Sequence, residues 1–469
     1  MFKRVVSILI CLLALSPVYA GTYYVSSTLG SNDNDGLTEQ TPRKDFFGIP
    51  KKDVTIRLKC GDVFWGGLSG YTDCRICSYG RGARPVLCGF KVLANPAAWQ
   101  EAGDGLWQLD LSNNSDFEGN TGTDGPTVNN IGFIYDASAD RLYGRNVVYA
   151  DSLCREMDFC TSSHFSAKEV EAHPFRTVTV KRAGNPSELG PLCFPVYGSG
   201  MEKMVRCEIE GIAVVGFSLM GMHQLYDCTV TDCQIDLIGG GIQIGYGSLA
   251  RLGNGVELWD GCCGNTITRC LISRTYDCAT TIQANGAVKS DPYNNIFVNN
   301  RIYRCRQAFE HFINPADGSA RMYFNCSFSG NVCYEMGENE FNCPEARDCN
   351  ILSYENDAKS ISIKDNVFFG ANHLDGTGIA EGMSGNTIYV YRDQYLYTRH
   401  WHRDKKTIIS GDSDSVRNYR DLSFDNSRIV VLRRGSLRAR MAGNRIRRQV
   451  GWSPVDLHLE RLSINANEQ

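Results

Sequence analysis

The sequence predicts an all-β solenoid, in which coils of short parallel strands stack along one axis and loops of variable length join them. Three observations carry this. From about residue 200 onward a small polar residue is followed two places on by an apolar, mostly β-branched or aromatic one, in Cys207-Glu208-Ile209, Cys228-Thr229-Val230, Cys270-Leu271-Ile272, Asn300-Arg301-Ile302, Asn331-Val332-Cys333 and Asn366-Val367-Phe368. The spacings of 21, 42, 30, 31 and 35 residues are too irregular for helical repeats. The segments between are short alternating runs broken by Gly, Asn and Asp, as strands and turns require.

The first element is a leader. Lys3 and Arg4 precede an apolar run from Val5 to Leu15, and Val18-Tyr19-Ala20 offers small residues for cleavage, so residues 1–20 are read as a signal peptide and the mature chain as secreted or periplasmic. The run is too short to cross a bilayer, and no later stretch reaches the ~18 apolar residues a membrane helix needs. Residues 21–395 are assigned to the solenoid, with an irregular β-rich insertion at 90–200 around Trp99 and Trp107, and 396–469 to a basic C-terminal segment. A formal charge of −4 supplies no global basic field. No nucleic-acid partner and no membrane insertion are expected, and the protein is expected to be a monomer.

Twenty cysteines in an exported chain suggest disulfides, but Cys11 leaves with the leader and nineteen is an odd number. Cys74 and Cys77 form a Cys-x-x-Cys pair and Cys262-Cys263 are adjacent. Neither has the second pair or histidines that a zinc site requires.

The phrase Asn294-Asn295-Ile296-Phe297-Val298-Asn299-Asn300-Arg301-Ile302 resembles the coil signature of the pectate-lyase-like family of right-handed parallel β-helices, in which Asn side chains stack at an inner turn. Thr22-Tyr23-Tyr24-Val25-Ser26-Ser27, Gly30-Ser31-Asn32-Asp33-Asn34-Asp35-Gly36, Thr41-Pro42-Arg43-Lys44 and Cys60-Gly61-Asp62-Val63-Phe64 are similar to the opening of secreted carbohydrate-active members. Arg43 departs from the pattern, since such openings often carry Trp. The resemblance covers roughly residues 22 to 370. It implies a right-handed parallel β-helix that works on polysaccharide, with Cys207, Cys228 and Cys270 standing where other coils carry Asn. A buried thiol can replace an amide there; coils ~4.8 Å apart also permit a disulfide.

In such a stack, equivalent residues of successive coils form columns. Aligned coils set Gly255-Val256-Glu257-Leu258-Trp259 above Ala279-Thr280-Thr281-Ile282-Gln283 and Ala308-Phe309-Glu310-His311-Phe312. Glu257, Thr281 and Glu310 then point outward, with Trp259, Gln283 and Phe312 in the next outward column. Two carboxylates two coils apart, ~9.6 Å between backbones, suit inverting glycoside hydrolysis, one protonating the leaving oxygen and the other activating water. Asp277 is a third candidate carboxylate. Trp259, Thr281, Gln283, His311, Phe312, Lys289 and Arg274 are the candidate substrate contacts; His311 falls in the inward phase and reads more readily as a core histidine than as a catalytic one.

A polysaccharide lyase is the second reading, with Lys289, Arg274 and Tyr276 as flanking bases or cations. No cofactor is required, although Asp33 and Asp35 are a candidate Ca²⁺ pair. A non-catalytic glycan-binding solenoid is the third reading. Arg428 to Arg448 contains eight arginines and no acid, interleaved with Val430, Val431, Leu432 and Leu437. It is either a basic strand pair gripping sulfated or uronic glycans, or a solvated run or capping element at the solenoid's end.

Overall fold

The computed structural model describes residues 21–118, 130–161, 176–241, 251, 253–319, 321–337, 341, 349–353, 360–370, 383–391, 395–399, 406–410 and 427–459. The leader therefore lies outside the described residues. Three parallel sheets wrap one core, as a right-handed parallel β-helix requires. Sheet I has ten strands, from Gly21–Val25 through Thr266–Thr268 and Ile296–Val298 to Met383–Ser384; sheet II has ten, from Val63–Trp65 through Leu271–Thr275 to Arg428–Leu432; sheet III has seven, from Leu68–Ser69 through Val256–Trp259 and Cys278–Gly286 to Cys349–Ser353. One coil visits sheets I, II and III in turn, as in Thr266–Thr268, Leu271–Thr275 and Cys278–Gly286.

The interior is built from columns of one residue per coil. Ile76, Ile209, Val230, Ile267, Phe297, Phe328 and Ile363 stack on sheet I. Leu87, Val214, Ile235, Ile272, Ile302, Cys333 and Phe368 stack on sheet II. All are buried. Each such aliphatic or aromatic side chain contributes about 1.5–3 kcal/mol by leaving water.

The corners explain the repeated phrase and correct its reading. Four coils carry two inner polar rungs five residues apart, one before the sheet I strand and one before the sheet II strand: Cys228 with Cys233, Asn265 with Cys270, Asn295 with Asn300, and Cys326 with Asn331. The first ladder runs Cys74, Cys207, Cys228, Asn265, Asn295 and Cys326; the second runs Cys233, Cys270, Asn300, Asn331, Asn366 and Asn386. The single ladder expected from sequence thus joined Cys207 and Cys228 of one to Cys270, Asn300, Asn331 and Asn366 of the other. That accounts for the anomalous 42-residue step, since the true coil step from Cys233 to Cys270 is 37.

Each rung follows a residue in the left-handed region, such as Asp227 (φ 53°), Arg269 (φ 55°), Asn299 (φ 57°) and Gly330 (φ 64°), which turns the chain sharply between sheets. In the second ladder Oδ1 of each amide accepts the backbone N–H of the rung before it: Asn300 from Cys270 (2.9 Å), Asn331 from Asn300 (2.8 Å), Asn366 from Asn331 (2.9 Å) and Asn386 from Asn366 (2.9 Å). Each Nδ2 donates to a carbonyl of the preceding coil, as Asn331 does to Phe297. Thiols substitute in the first ladder, where the Cys207 N–H lies 3.4 Å from Cys228 Sγ. The cysteines whose side chains are described, Cys207, Cys228 and Cys270 among them, are free thiols.

The insertion interrupts one coil. The chain leaves sheet II after Val86–Cys88, forms a five-stranded and a four-stranded antiparallel sheet between Phe90 and Pro195, and rejoins sheet III at Ser199–Val205. Met201 there pairs with Leu68 of the preceding coil, so the stack is continuous across the excursion.

The C-terminal stretch is not a strand pair. Arg428–Leu432 closes sheet II, and Leu437–Val450 is a helix capped by Ser436, whose Oγ accepts the Ala439 N–H. The helix buries Ala439, Gly443, Ile446 and Val450, packing with Tyr303, Tyr334, Phe369 and Tyr389 on the outer face of sheet II.

His311 is inside the coil. It stacks on Phe309 (5.6 Å between ring centroids) and meets Tyr323 edge-on, and neither ring nitrogen has a hydrogen-bond partner among the described residues. Its inward phase removes it from the candidate substrate contacts.

Asn331→Ala strips the acceptor from the buried Asn300 N–H and the donor from Phe297 O, and should lower unfolding free energy by about 1–3 kcal/mol in denaturant titrations. An unchanged midpoint would contradict the role given to the ladder. Burial pulls the His311 pKa down to about 4. The unfolded chain then takes up a proton near its ordinary value of ~6.5 while the folded chain resists it, so stability is full above that pH and falls by about 3 kcal/mol as pH drops toward 4. His311→Met should lose measurably less stability than the parent between pH 7 and 4.5. Equal losses would refute the assignment.

Candidate functional site

The outer face of sheet III carries the site. Val256 pairs with Thr280 and Thr280 with Phe309; Glu257 with Thr281 and Thr281 with Glu310; Trp259 with Gln283 and Gln283 with Phe312. This is the register expected from the coil alignment. Val256 and Phe309 lie in the core and Phe309 stacks on Phe328, which places the Glu257, Thr281 and Glu310 column on the opposite side.

That column is not an open surface strip. Glu257, Thr281 and Glu310 are 4%, 0% and 5% exposed, while Trp259 and Phe312 are half-buried beside them. A carboxylate so desolvated must be paired or hydrogen-bonded. Glu257 is held by three groups: Asn254 Nδ2 (2.5 Å) and Gln283 Nε2 (2.8 Å) donate to Oε2, and His223 Nε2 lies 3.2 Å from Oε1. The Thr281 hydroxyl, between the two carboxylates, has no hydrogen-bond partner among the described residues.

His223 and Asn254 were not among the sequence candidates. His223 lies directly beside Glu257 in the next strand, in the column that continues back to Glu202. The signal for it was present: Gly221-Met222-His223 aligns with Gly255-Val256-Glu257 one coil earlier. Asn254 is less legible, because it acts from the corner before the strand, where its Oδ1 also accepts the Cys278 N–H.

The other candidates separate. Gln283 joins the site through Glu257. Lys289 flanks it, exposed, with Nζ 3.8 Å from the carboxylate of the largely buried Asp260, whose Oδ1 accepts the Lys289 N–H. Asp277 sits at the corner before the strand Cys278–Gly286, where its N–H donates to the Gly253 carbonyl. Its backbone carbonyl accepts the Gln307 N–H and the Thr275 hydroxyl. Tyr276 is buried against Phe341. Asp35 uses Oδ1 to accept from the Leu37 N–H and the Thr41 hydroxyl, which lowers its pKa and fixes a turn.

Arg274 does not flank the strip. It lies in the sheet II strand Leu271–Thr275, fully buried and left-handed (φ 44°). Its guanidinium pairs with Asp236 through Nε (2.9 Å) and Nη2 (2.5 Å), with Asp140 of the insertion through Nη1 (2.5 Å), and stands over the rings of Tyr135 and Trp452. Burial works against the charge, but the two aspartates outweigh it and hold the pKa well above its ordinary value. Arg274 therefore ties the β-helix, the insertion and the C-terminal tail together, and has no route to a ligand on sheet III.

No protein-family model matches the chain, and no curated protein matches it. Among solved structures, it is similar to the complex of XylC with xylose, at 10% identity over 87% of this chain and 82% of that one, TM-score 0.44. It is similar to pectate lyase Pel9A at 12% identity over 80% and 70%, TM-score 0.41, and to the GH136 lacto-N-biosidase from Eubacterium ramulus at 11% identity over 88% and 67%, TM-score 0.34.

Proposed function

We propose that the chain is an extracytoplasmic, carbohydrate-active enzyme: a glycoside hydrolase that cuts a complex polysaccharide with Glu257 and Glu310 as its acid and base. The observation that carries this reading is the pair of buried carboxylates on the outer face of sheet III, two strands apart in register with Thr281 between them. Two interstrand steps place their backbones about 9.6 Å apart, within side-chain reach of the spacing that leaves room for a water opposite the leaving group. The extracytoplasmic location rests on the leader sequence alone.

The hydrogen bonds divide the roles. An ionised carboxylate has about four lone-pair sites. Glu257 accepts from Asn254 and Gln283 on Oε2, while His223 Nε2 stands 3.2 Å from Oε1, so Oε1 keeps room for a water, which suits Glu257 to the base. Glu310 is then the acid that protonates the leaving oxygen. Trp259 and Phe312 offer half-buried ring faces to a sugar, whose C–H groups pack on aromatic surfaces. His223 acts through Glu257 and is a positioning residue.

Elimination is less well supported. Two of the groups that a lyase reading needs, Arg274 and Tyr276, are buried away from the site, and Lys289 remains beside Asp260. A purely binding solenoid would show no turnover to lose on replacement of either glutamate.

Glu257→Gln and Glu310→Gln, tested singly on a panel of plant, algal and host polysaccharides, should each lower reducing-end release by several orders of magnitude while glycan affinity is kept. Unsaturated uronate absorbance should not accompany the new ends in the parent enzyme. Full activity in both variants, or unsaturated products, would overturn the proposal.

A further inference from the structure

We infer that the outward face of the C-terminal helix is a binding surface for a uronate-bearing polysaccharide. The helix Leu437–Val450 spends its apolar side, Ala439, Gly443, Ile446 and Val450, on sheet II. What faces water is basic: Arg438, Arg440, Arg447 and Arg448 are exposed, and Arg433 and Arg434 are exposed just before the helix. Seven residues make about two turns, so Arg440 and Arg447 lie roughly 10 Å apart along one flank, with Arg438 and Arg445 similarly spaced on the other and Arg448 between.

The exposed arginines of the described surface fall into two groups, those without an acidic partner, to which Arg81, Arg84, Arg141 and Arg155 also belong although none of them lies on this helix, and those in ion pairs. Arg75 is paired with Glu210, Arg206 with Asp73, Arg269 with Asp232 and Arg304 with Glu335. Among the described residues none of Arg438, Arg440, Arg447 and Arg448 has an acidic partner. Arg438 and Arg440 also occupy the first turn, where no acid is present and where the helix dipole disfavours cations. A helix shaped only for stability would place acids there. The uncompensated charge, on a chain whose net charge is −4, calls for an anionic partner.

The chemistry selects the partner. The planar guanidinium fork matches a carboxylate two bonds at a time. No aromatic residue lies between Arg433 and Arg448, so the unpaired bases of a single strand would have nothing to stack on, and duplex DNA is set against the polyuronate in the test. Leu437 and Met441 are the exposed large apolar side chains of the helix, too few to seat it in a bilayer whose acyl region would need its buried side. A polyuronate meets the row of charges along its own length.

The test uses the full mature chain and polygalacturonate, with dextran sulfate, neutral dextran and duplex DNA as further probes, and reads retention without turnover. The parent should bind polygalacturonate in a salt-dependent manner and ignore dextran. Arg438→Gln, Arg440→Gln, Arg447→Gln and Arg448→Gln combined should weaken that binding at least tenfold at an unchanged melting temperature. If the fourfold variant misfolds, the pairs R438Q/R440Q and R447Q/R448Q carry the test, each weakening binding several-fold. Undiminished binding by the variants, no binding by the parent, or a preference of the parent for dextran sulfate or DNA would overturn the inference. A chain that binds polygalacturonate through this helix and cuts nothing would keep the inference and lose the hydrolase reading.

Discussion

An amide at the inner corner of a coil has a backbone N–H from one neighbouring coil within reach of its oxygen, and a carbonyl within reach of its nitrogen. Asn300, Asn331, Asn366 and Asn386 use both, and the buried polar groups of each turn are satisfied by the next turn rather than by water. Shifting one coil by a residue would orphan several buried donors and acceptors together, each costing about 1–3 kcal/mol. The left-handed residue before each rung makes the corner tight enough for this contact. Register between coils is the constraint from which the rest descends, because it decides which side chains share a column and on which side of the sheet they stand.

The outer column of sheet III shows what a fixed register makes possible. His223, Glu257, Thr281 and Glu310 come from four separate coils and become neighbours only through strand pairing. Burying two carboxylates on an outer face opposes stability unless donors surround them. Glu257 has its donors, drawn from its own corner, the coil above and the coil below. Arg274 solves the same electrostatic problem for structure alone, neutralising Asp236 and Asp140 where three parts of the molecule meet.

How much of this was legible in the sequence depended on whether the signal was local. The parallel coil and the register of Glu257, Thr281 and Glu310 were legible, because apolar alternation and the rung phrase recur in each coil. The two ladders were merged, since Cys228 and Cys233, or Asn295 and Asn300, carry near-identical phrases five residues apart and only strand pairing tells them apart. Arg274 was misplaced because a left-handed residue inside a strand leaves no mark on the alternation, and its partner Asp140 is 134 residues away. The burial of the carboxylate column was illegible for a related reason: alternation reports the side of a sheet, and says nothing of what packs on it. The basic C-terminal run was visible as composition, but its helical form follows from the 439, 443, 446 and 450 spacing of its buried residues.

The central claim, that two carboxylates two coils apart act across one glycosidic bond, is tested most directly by proton NMR of the first sugar product released from a polysaccharide substrate. About 9.6 Å between backbones leaves space for a water between base and sugar, so the account predicts inverted anomeric configuration in the initial product, before mutarotation. Initial retention of configuration would mean a covalent intermediate and a closer pair of carboxyl groups, and would contradict the assignment of Glu257 and Glu310.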